Sequence, residues 1–382
     1  MAISLYAGRG HTGVKSAMSA EHSDYKRTTY LLPIDQSLRL GSVETIRSAQ
    51  QTQLQAQLLT TPTLPLRLFS RLYDSGVPLR MPMSASDPSL RETNWPSVAA
   101  YVSTRKDTYP FIDPAKADLT GKSVLITGAS KGIGKATAIS FAIAGCSKIL
   151  LAARSDLADV ETAVYDAATM STRPRPFVLS LKLDVTSEAS VRAAAQTAAD
   201  VLGDSLDVLV NNAGYLEAWK PIAESEPSEW WRTWEVNIKG TYLAAHFFLP
   251  LLLKSQTKTI INVSSGGAHV IFPGASAYQT TKFALCRLTE FMDTEYYQQG
   301  LIAISLHPGA VKTELAMNMP PDRQFVLTDT PELAADTLVW LARERRDWLA
   351  GRFASVSWDM EELQQKKQDV LQRNLFKFRV GV

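Results

Sequence analysis

The sequence predicts an α/β fold, in which a doubly wound parallel sheet of seven strands carries helices on both faces. From about residue 97, short apolar segments rich in β-branched residues alternate with longer segments that have helical spacing. Strands that are apolar along their whole length are typical of a sheet buried on both sides, and regular strand–helix alternation is typical of parallel strands. The predicted strands are 123–127, 148–152, 177–183, 208–210, 259–263, 302–306 and 353–356.

The helices are predicted from apolar residues that recur every three to four positions between these strands. The clearest such segments are 133–144, 187–202, 229–253, 278–299 and 331–344. Near the end of the chain, residues 360–382 contain several cations and are predicted to form a solvated helix followed by a short extended tail.

Residues 1–96 differ in composition from the rest and are predicted to be a largely irregular extension ahead of a domain that spans 97–382. They are rich in Ser, Thr, Gln and Leu, contain clustered prolines, and include one helical candidate, 43–59, with a thin apolar face. Such a helix is marginal by itself. Three interpretations stay open: a disordered leader, an organelle-targeting leader, and a later translation start, for instance at Met81 or Met83.

The composition limits the classes of function. The chain has 382 residues, of which 45% are hydrophobic, and its 40 Lys and Arg residues nearly balance its 38 Asp and Glu residues. This balance gives no reason to expect nucleic acid as a partner. Cys146 and Cys286 are the only cysteines and there are five histidines, so we expect neither a disulfide scaffold nor a metal site. We expect no membrane span and no secretory signal, and therefore a cytoplasmic location.

A glycine-rich turn follows the first predicted strand. It runs from Thr127 to Gly134 with the spacing Gly-x-x-x-Gly-x-Gly. Glycines allow a tight turn into the next helix and let backbone N–H groups approach a pyrophosphate at the helix N-terminus. Because the turn lies between a strand and a helix, it predicts a dinucleotide site that contains Gly128, Ser130, Lys131, Gly132, Ile133 and Gly134.

Further motifs follow in a fixed order. They are Asn211-Asn212-Ala213-Gly214, Asn237, Ser265 thirteen residues before Tyr278-x-x-x-Lys282, and the segment from Pro308 to Thr313. Together with the glycine spacing, they resemble the compact single-domain branch of the short-chain dehydrogenase/reductase family over roughly residues 97–360. The resemblance implies a Rossmann-type fold, an oxidoreductase activity with a nicotinamide cofactor, and pairing through helices 229–253 and 278–299 into a homodimer or homotetramer.

The resemblance also implies which later residues contact the dinucleotide. Asp184 would contact the adenine, Asn211 and Gly214 would line the path of the adenosine ribose and the sheet edge, with Ala213 between them, and Thr313 would bond the nicotinamide carboxamide. Asp184 has an alternative interpretation, because an acid immediately ahead of a helix start also stabilises the helix N-terminus.

The choice between the two nicotinamide cofactors depends on the end of the second strand. Ala153 stands where the NAD-specific members of the family that this chain resembles have Asp, and Arg154 follows it. A guanidinium can hold a phosphate bidentately, and Lys131 adds a second positive charge. The sequence therefore predicts NADP(H) over NAD(H), although both cations could instead be ordinary surface residues.

The chemical step is assigned to one helical face. Positions four apart share a face, so Tyr278 and Lys282 can point into one cleft. The resemblance implies that Tyr278 is the general acid/base, that Lys282 lowers its pKa and holds the nicotinamide ribose, and that Ser265 donates a hydrogen bond to the substrate oxygen. It also implies that Asn237 positions a water that links Lys282 to solvent. Ser264 competes with Ser265, and Asn237 could instead satisfy a buried backbone group.

The substrate side is expected to involve three segments, 215–219, 267–273 and 314–325, the last as a mobile lid. They offer large apolar side chains and little charge, with His269 as a lining residue; the large side chains are Trp219, Ile271, Phe272, Met317, Met319 and Phe325. We therefore expect a bulky, mostly apolar carbonyl or secondary alcohol, such as a polyketide-, terpenoid- or steroid-like compound of secondary metabolism.

Two other functions are weighed against this one. The first is a non-catalytic NADP-sensing module that regulates a partner through the extension; a sensor would not need Ser265, Tyr278 and Lys282 together. The second is an epimerase or dehydratase of the family's longer branch, which the glycine spacing and the short tail after residue 314 disfavour.

Overall fold

The structure is a computed structural model that describes residues 101–203 and 205–379. The extension predicted for 1–96, its helical candidate and both later start positions lie outside the described residues.

The described residues form one seven-stranded sheet in which all strands are parallel, in the order β3-β2-β1-β4-β5-β6-β7. This confirms the predicted doubly wound sheet. Every strand begins and ends within one residue of the predicted bounds; the strands are β1 Ser123–Thr127, β2 Lys148–Ala153, β3 Phe177–Lys182, β4 Val208–Asn211, β5 Thr259–Val263, β6 Ile302–His307 and β7 Arg352–Ser355. The strand order reverses between β1 and β4, the position at which ligands bind in open parallel sheets.

Helices cover both faces of the sheet, and a buried core lies on each side. On one face, α1 packs between α2 and α7, and on the other, α3 packs against α5. Among the described residues, no helix combines the length and the hydrophobicity needed to cross a membrane. The helices are α1 Gly132–Ile143, α2 Ala158–Met170, α3 Glu188–Leu202, α4 Pro227–Trp234, α5 Gly240–Leu252, α6 Ser276–Tyr296, α7 Pro331–Ala342, α8 Met360–Gln365 and α9 Lys367–Gln372.

Two helical features differ from the prediction. Helix α2 was not predicted, because its buried stripe consists of only Val160, Val164 and Ala168. The predicted helix 229–253 is divided into α4 and α5 by a π-helical turn, Glu235–Lys239. Such turns are frequent at functional sites, and this one contains the buried Asn237.

The prediction of a solvated C-terminal helix is wrong. Met360, Leu363 and Val370 are fully buried and belong to the core. Beyond them, the backbone carbonyl of Phe376 accepts a hydrogen bond from the N–H of Phe353 at 2.9 Å, on the edge strand β7. The apolar residues outweigh the cations on these two short helices, so the segment packs onto the domain and covers part of the sheet edge.

Candidate active site

The glycine-rich turn joins β1 to α1 and packs closely against the loop after β4. Gly128 has φ +65°, and a Cβ added to it would lie 2.9 Å from the Cα of Ala213. A Cβ on Gly134 would lie 2.3 Å from the carbonyl oxygen of Gly128. Both positions therefore need glycine. The resulting close packing leaves the N-terminus of α1 open to a groove of about 480 Å³, here called the glycine groove.

Most residues predicted to contact the dinucleotide line the glycine groove. Those that do are Gly128, Ser130, Lys131, Gly132, Ile133, Arg154, Asp184, Ala213, Gly214, Tyr278, Lys282 and Thr313. Gly134 lies behind the turn and supports it. A Cβ on Gly132 would lie 3.3 Å from Thr313 Cγ2, so the two walls of the groove come close together at its middle.

Asn211, like Gly134, does not line the glycine groove. Its side chain is buried in the sheet and donates a hydrogen bond to Asn262 Oδ1 at 2.8 Å. The next residue, Asn212, lines the glycine groove instead, and its Nδ2 donates to the carbonyl oxygens of Thr127 at 2.9 Å and Gly128 at 3.2 Å. Adjacent strand residues point to opposite sides, so a one-residue difference decides which amide meets the groove.

The surroundings of Asp184 fit both roles that the sequence allowed, a residue of the dinucleotide site and an acid ahead of a helix. It lines the glycine groove, and its Oδ1 accepts hydrogen bonds from the backbone N–H of Thr186 at 2.9 Å and from its hydroxyl at 2.8 Å, directly ahead of α3. Partial burial opposes ionisation, but the hydrogen bonds from Thr186 and the positive charges of Arg154 and Lys239 lower the pKa of Asp184.

Lys131 has a partner that no motif of the sequence indicated. Its Nζ lies 2.5 Å from Glu314 Oε2, and this ion pair joins the glycine-rich turn to the segment after β6 across the rim of the glycine groove. Both side chains are largely exposed. Arg154 also lines the groove and is exposed.

The predicted catalytic side chains meet where the glycine groove adjoins a second space, here called the apolar cavity, of about 530 Å³. Tyr278, in the first turn of α6, lines both spaces, whereas Ser265 lines the apolar cavity and Lys282 lines the glycine groove. Lys282 Nζ donates to the carbonyl oxygen of Val263 at 2.8 Å and lies 5.5 Å from the ring centroid of Tyr278.

Burial determines the protonation of this pair. It raises the pKa of Tyr278 to about 12, which the hydrogen bond with Ser265 opposes and the negative charge of Glu217 reinforces. Burial also lowers the pKa of Lys282 to about 8. The predicted downward shift of the tyrosine pKa is therefore not found in the protein chain alone. The phenol is protonated at neutral pH and can act as a proton donor.

Ser264 and Ser265 differ in what they contact. The hydroxyl of Ser264 is buried and donates to the backbone carbonyl of Lys282 at 2.9 Å. The hydroxyl of Ser265 accepts from the N–H of Gly267 at 3.0 Å and is hydrogen-bonded to Tyr278. The structure thus brings Ser265, and not Ser264, beside the phenol.

Asn237 ties the loop after β4 to α6. Its Oδ1 accepts from the N–H of Tyr215 at 2.8 Å, and its Nδ2 donates to the carbonyl oxygen of Tyr215 at 2.9 Å and to Thr281 Oγ1 at 3.0 Å. Asn237 thus satisfies backbone groups of Tyr215, which is the alternative role that the sequence allowed. A role in proton supply stays a prediction.

The apolar cavity contains only part of the predicted substrate side. Trp219, Phe272 and Met319 line it, while Ile271 is 90% exposed, and Met317 and Phe325 also face outward. Other apolar residues complete the wall, namely Leu216, Val270, Val311, Leu315, Val326 and Leu327. The predicted lid is held by Asn318, whose Nδ2 donates to the carbonyl oxygen of Leu216 at 2.8 Å; its mobility stays a prediction.

The lining of the apolar cavity differs from the prediction at two histidines and at one segment. His269 does not line the apolar cavity but packs behind it, with its ring 4.3 Å from that of Phe353. His307 lines the cavity instead, and burial lowers its pKa to about 3. Residues 104–106, ahead of β1, form part of the cavity mouth. They belong to no motif, so nothing in the sequence indicated their position.

This fold and site define a dinucleotide-binding oxidoreductase. The model of the short chain dehydrogenase family matches residues 122–324, and the chain belongs to this family.

Known proteins agree with this membership. The short chain dehydrogenase citE of Monascus ruber is 53% identical over 277 residues, which cover 72% of this chain and 94% of that protein. A 3-ketoacyl-(acyl-carrier-protein) reductase from Brucella melitensis, solved in complex with NADH, has a TM-score of 0.54 and 27% identity over 62% of this chain and 96% of its own. A 7α-hydroxysteroid dehydrogenase, solved with NADH and 7-oxo glycochenodeoxycholic acid, has a TM-score of 0.55 and 25% identity over 65% of this chain and 97% of its own.

Proposed function

We propose that the protein is an NADPH-dependent reductase that acts on the carbonyl group of a bulky, mostly apolar small molecule, or oxidises the corresponding secondary alcohol, in secondary-metabolite biosynthesis. The observation that carries the proposal is the position of Tyr278, which lines both the glycine groove and the apolar cavity. A phenol there can donate to the oxygen of a carbonyl group held in the cavity, beside a dinucleotide held in the groove.

The residues around Tyr278 have complementary tasks in this proposal. When bound, the nicotinamide supplies the hydride for reduction or accepts it in oxidation. The hydroxyls of Ser265 and Tyr278 donate hydrogen bonds to the carbonyl oxygen, and the phenol gives up its proton as negative charge develops there. Lys282, buried in the glycine groove, holds the nicotinamide ribose and favours the phenolate that results. Asn237 orders the loop beside Lys282 and positions the water for proton supply.

The preference for NADP(H) rests on charge at the adenosine end of the glycine groove. Ala153 lines the groove where an acidic residue would repel a 2′-phosphate, Arg154 follows it, and Lys131 lines the same groove. A glycine-rich turn at a helix N-terminus suits the pyrophosphate. The groove therefore fits a dinucleotide, and its two cations favour the phosphorylated one.

The substrate class follows from the wall of the apolar cavity. Most of its lining is apolar, and its charged residues, Arg105, Lys106 and Asp329, are few. The similar 7α-hydroxysteroid dehydrogenase was solved with 7-oxo glycochenodeoxycholic acid, a bulky ketone whose ring system is of the kind that such a cavity would suit. We further propose a homodimer or homotetramer that buries the exposed aromatic side chains of Tyr242 on α5 and Phe291 on α6.

The test compares Tyr278→Phe with Tyr297→Phe, a matched change at an exposed tyrosine in the turn directly after α6. Oxidation of NADPH is followed with a panel of apolar ketones, and NADPH binding is titrated separately. We expect Tyr278→Phe to lose at least about a hundredfold in kcat, because the proton donor is removed, while the Kd for NADPH stays within about twofold. Tyr297→Phe should match the wild type.

Two outcomes would count against the proposal. Retention of more than a few percent of kcat in Tyr278→Phe would contradict the role of the phenol. Tight NADPH binding by the wild type without reduction of any ketone in the panel would favour the sensing module, the alternative function.

A further inference from the structure

Gln279 follows Tyr278 in α6 and lines the apolar cavity. Only 9% of its surface is exposed, which is unusual for a glutamine. A buried amide of this kind needs hydrogen-bond partners, because an unsatisfied polar group is costly in an apolar environment.

One half of the amide has a partner that fixes its orientation. The backbone N–H of Phe272 donates to Gln279 Oε1 at 2.9 Å. Because a backbone N–H needs an acceptor, the oxygen must face Phe272, and the NH₂ group must point the other way. Throughout residues 101–203 and 205–379, no hydrogen bond uses Gln279 Nε2 as a donor. The side chain thus presents two N–H donors, without an acceptor in this part of the chain, at the wall of an apolar cavity.

The free end of this amide lies close to the reacting position. A Cβ added to Gly267 would lie 3.2 Å from Ser265 Oγ and 3.7 Å from Gln279 Nε2. One point is therefore near both atoms, and glycine leaves that point open. The two atoms are thus close enough for one substrate to contact Ser265 Oγ with its carbonyl oxygen and Gln279 Nε2 with a neighbouring group.

We propose that Gln279 determines substrate specificity by donating a hydrogen bond to a second oxygen of the substrate, located one or two carbons from the carbonyl that is reduced. The substrate class is then a ketone with a neighbouring acceptor, such as a β-keto ester, a β-diketone or a ketone beside an ether or hydroxyl oxygen. A ketone without the second oxygen leaves the buried donors unpaired, and sites that bind through such donors reject analogues that lack the acceptor. This inference rests on the proposed function and narrows its substrate.

The experiment uses two ketones of the same length: an apolar β-keto ester, and the plain ketone in which two methylene groups replace the ester carbonyl and the ester oxygen, so that it carries no second oxygen. For each we would measure kcat/KM with NADPH and the Kd from quenching of tryptophan fluorescence. The variants are Gln279→Met, which removes the donor at similar volume, and Gln279→Glu, which keeps an acceptor for Phe272. Gln299→Met makes the same substitution at an exposed glutamine in the turn that follows α6.

We expect Gln279→Met to lower kcat/KM for the β-keto ester about tenfold or more, the effect of one buried hydrogen bond, and to change the value for the plain ketone less than about twofold. Gln279→Glu should show the same selective loss at alkaline pH, where the carboxyl group is ionised and cannot donate. Gln299→Met should leave both values unchanged. For each protein, kcat/KM for the β-keto ester is divided by kcat/KM for the plain ketone. Comparing this ratio between the wild type and a variant cancels the intrinsic reactivity of the ketones.

An equal loss on both ketones, or an unchanged preference in Gln279→Met, would overturn the inference. If the wild type reduces neither ketone, the proposed function fails on that evidence, and the ratio of the two Kd values still decides the inference. Tighter binding of the β-keto ester than of the plain ketone by the wild type, lost in Gln279→Met, would support the inference. Equal Kd values for the two ketones in both proteins would refute it.

Discussion

The buried carboxylate of Glu217 accepts a hydrogen bond from the backbone N–H of Tyr278, at 3.1 Å from Oε1. Its other oxygen accepts from the hydroxyl of Thr233 at 2.8 Å. Glu217 therefore places a negative charge at the N-terminus of α6, where the helix dipole stabilises it. It also fixes the backbone of Tyr278, whose phenol we propose as the proton donor. Glu217 belongs to the segment 215–219 that the sequence predicts on the substrate side, but no motif indicated its contact with α6, which follows from the loop that joins β4 to α4.

Replacing Glu217 with glutamine is expected to move the pH dependence of the reaction. Burial raises the pKa of Tyr278, Ser265 lowers it, and the negative charge of Glu217 raises it further. Glu217→Gln removes that charge, so the pKa of Tyr278 falls. Reduction requires the protonated phenol, and the alkaline limb of the kcat profile should therefore move to lower pH. For the oxidation of an alcohol, which requires the phenolate, the acid limb should move to lower pH as well.

The control for this prediction is Glu235→Gln, which removes a charge from an exposed position in the π-helical turn. It should leave both profiles in place. Glu217→Gln should also lower the free energy of unfolding by about 1 kcal/mol, through the lost interaction with the helix N-terminus. An unmoved pH profile in Glu217→Gln would show that its charge does not act on Tyr278.

The ion pair between Lys131 and Glu314 is expected to compete with the dinucleotide. Exposed pairs of this kind contribute up to about 1 kcal/mol, so Glu314→Gln should release Lys131 and lower the Kd for NADPH by up to about fivefold at low ionic strength. The gain should shrink in high salt, which screens exposed charges. Titration of NADPH at two salt concentrations measures both effects. In a Lys131→Met background, Glu314→Gln should leave the Kd for NADPH unchanged. A lower Kd that persists in this background would mean that Glu314 acts on the cofactor directly.

Arg154 is expected to decide between the two nicotinamide cofactors. Arg154→Ala removes a charge-assisted hydrogen bond to the 2′-phosphate, and kcat/KM with NADPH should fall about tenfold or more. The value with NADH should change less than about twofold, since NADH has no phosphate there. Arg192→Ala, which removes an exposed arginine on α3, serves as the control. Parallel losses with both cofactors would refute the preference for NADP(H).

The sequence predicts this protein best where the physical requirement is local. A strand buried on both faces must be apolar along its length, so all seven strands were found within one residue. The tight turn at Gly128 needs glycine, so the glycine groove was found as well. Asn211 was misplaced because neighbouring strand positions differ only in the face to which they point. Residues 104–106 and the specific contact between Glu217 and α6 could not be predicted, because they depend on long-range packing of segments that carry no motif.

The C-terminal tail offers the last prediction, because the ring of Phe378 stacks on that of His269 with centroids 4.8 Å apart. His269 donates its backbone N–H to Gly266 and so closes the short turn after Ser265. Phe378→Ala removes a half-buried ring and should lower the free energy of unfolding by about 2 kcal/mol at pH 7.5, less than for a fully buried phenylalanine. Urea denaturation measures this loss, and Phe325→Ala, at a 75% exposed position, should show almost none.

The decrease in the free energy of unfolding caused by Phe378→Ala should become smaller as the pH falls. Burial lowers the pKa of His269 to about 4, so the unfolded chain binds a proton at this residue at higher pH than the folded one. The wild type therefore loses stability as the pH falls from about 6.5 towards 4. Phe378→Ala hydrates His269 and raises its folded pKa, which weakens this pH dependence. The difference in the free energy of unfolding between variant and wild type should accordingly be smaller at pH 5 than at pH 7.5. A difference that stays constant or grows as the pH falls would show that the tail does not control the hydration of His269.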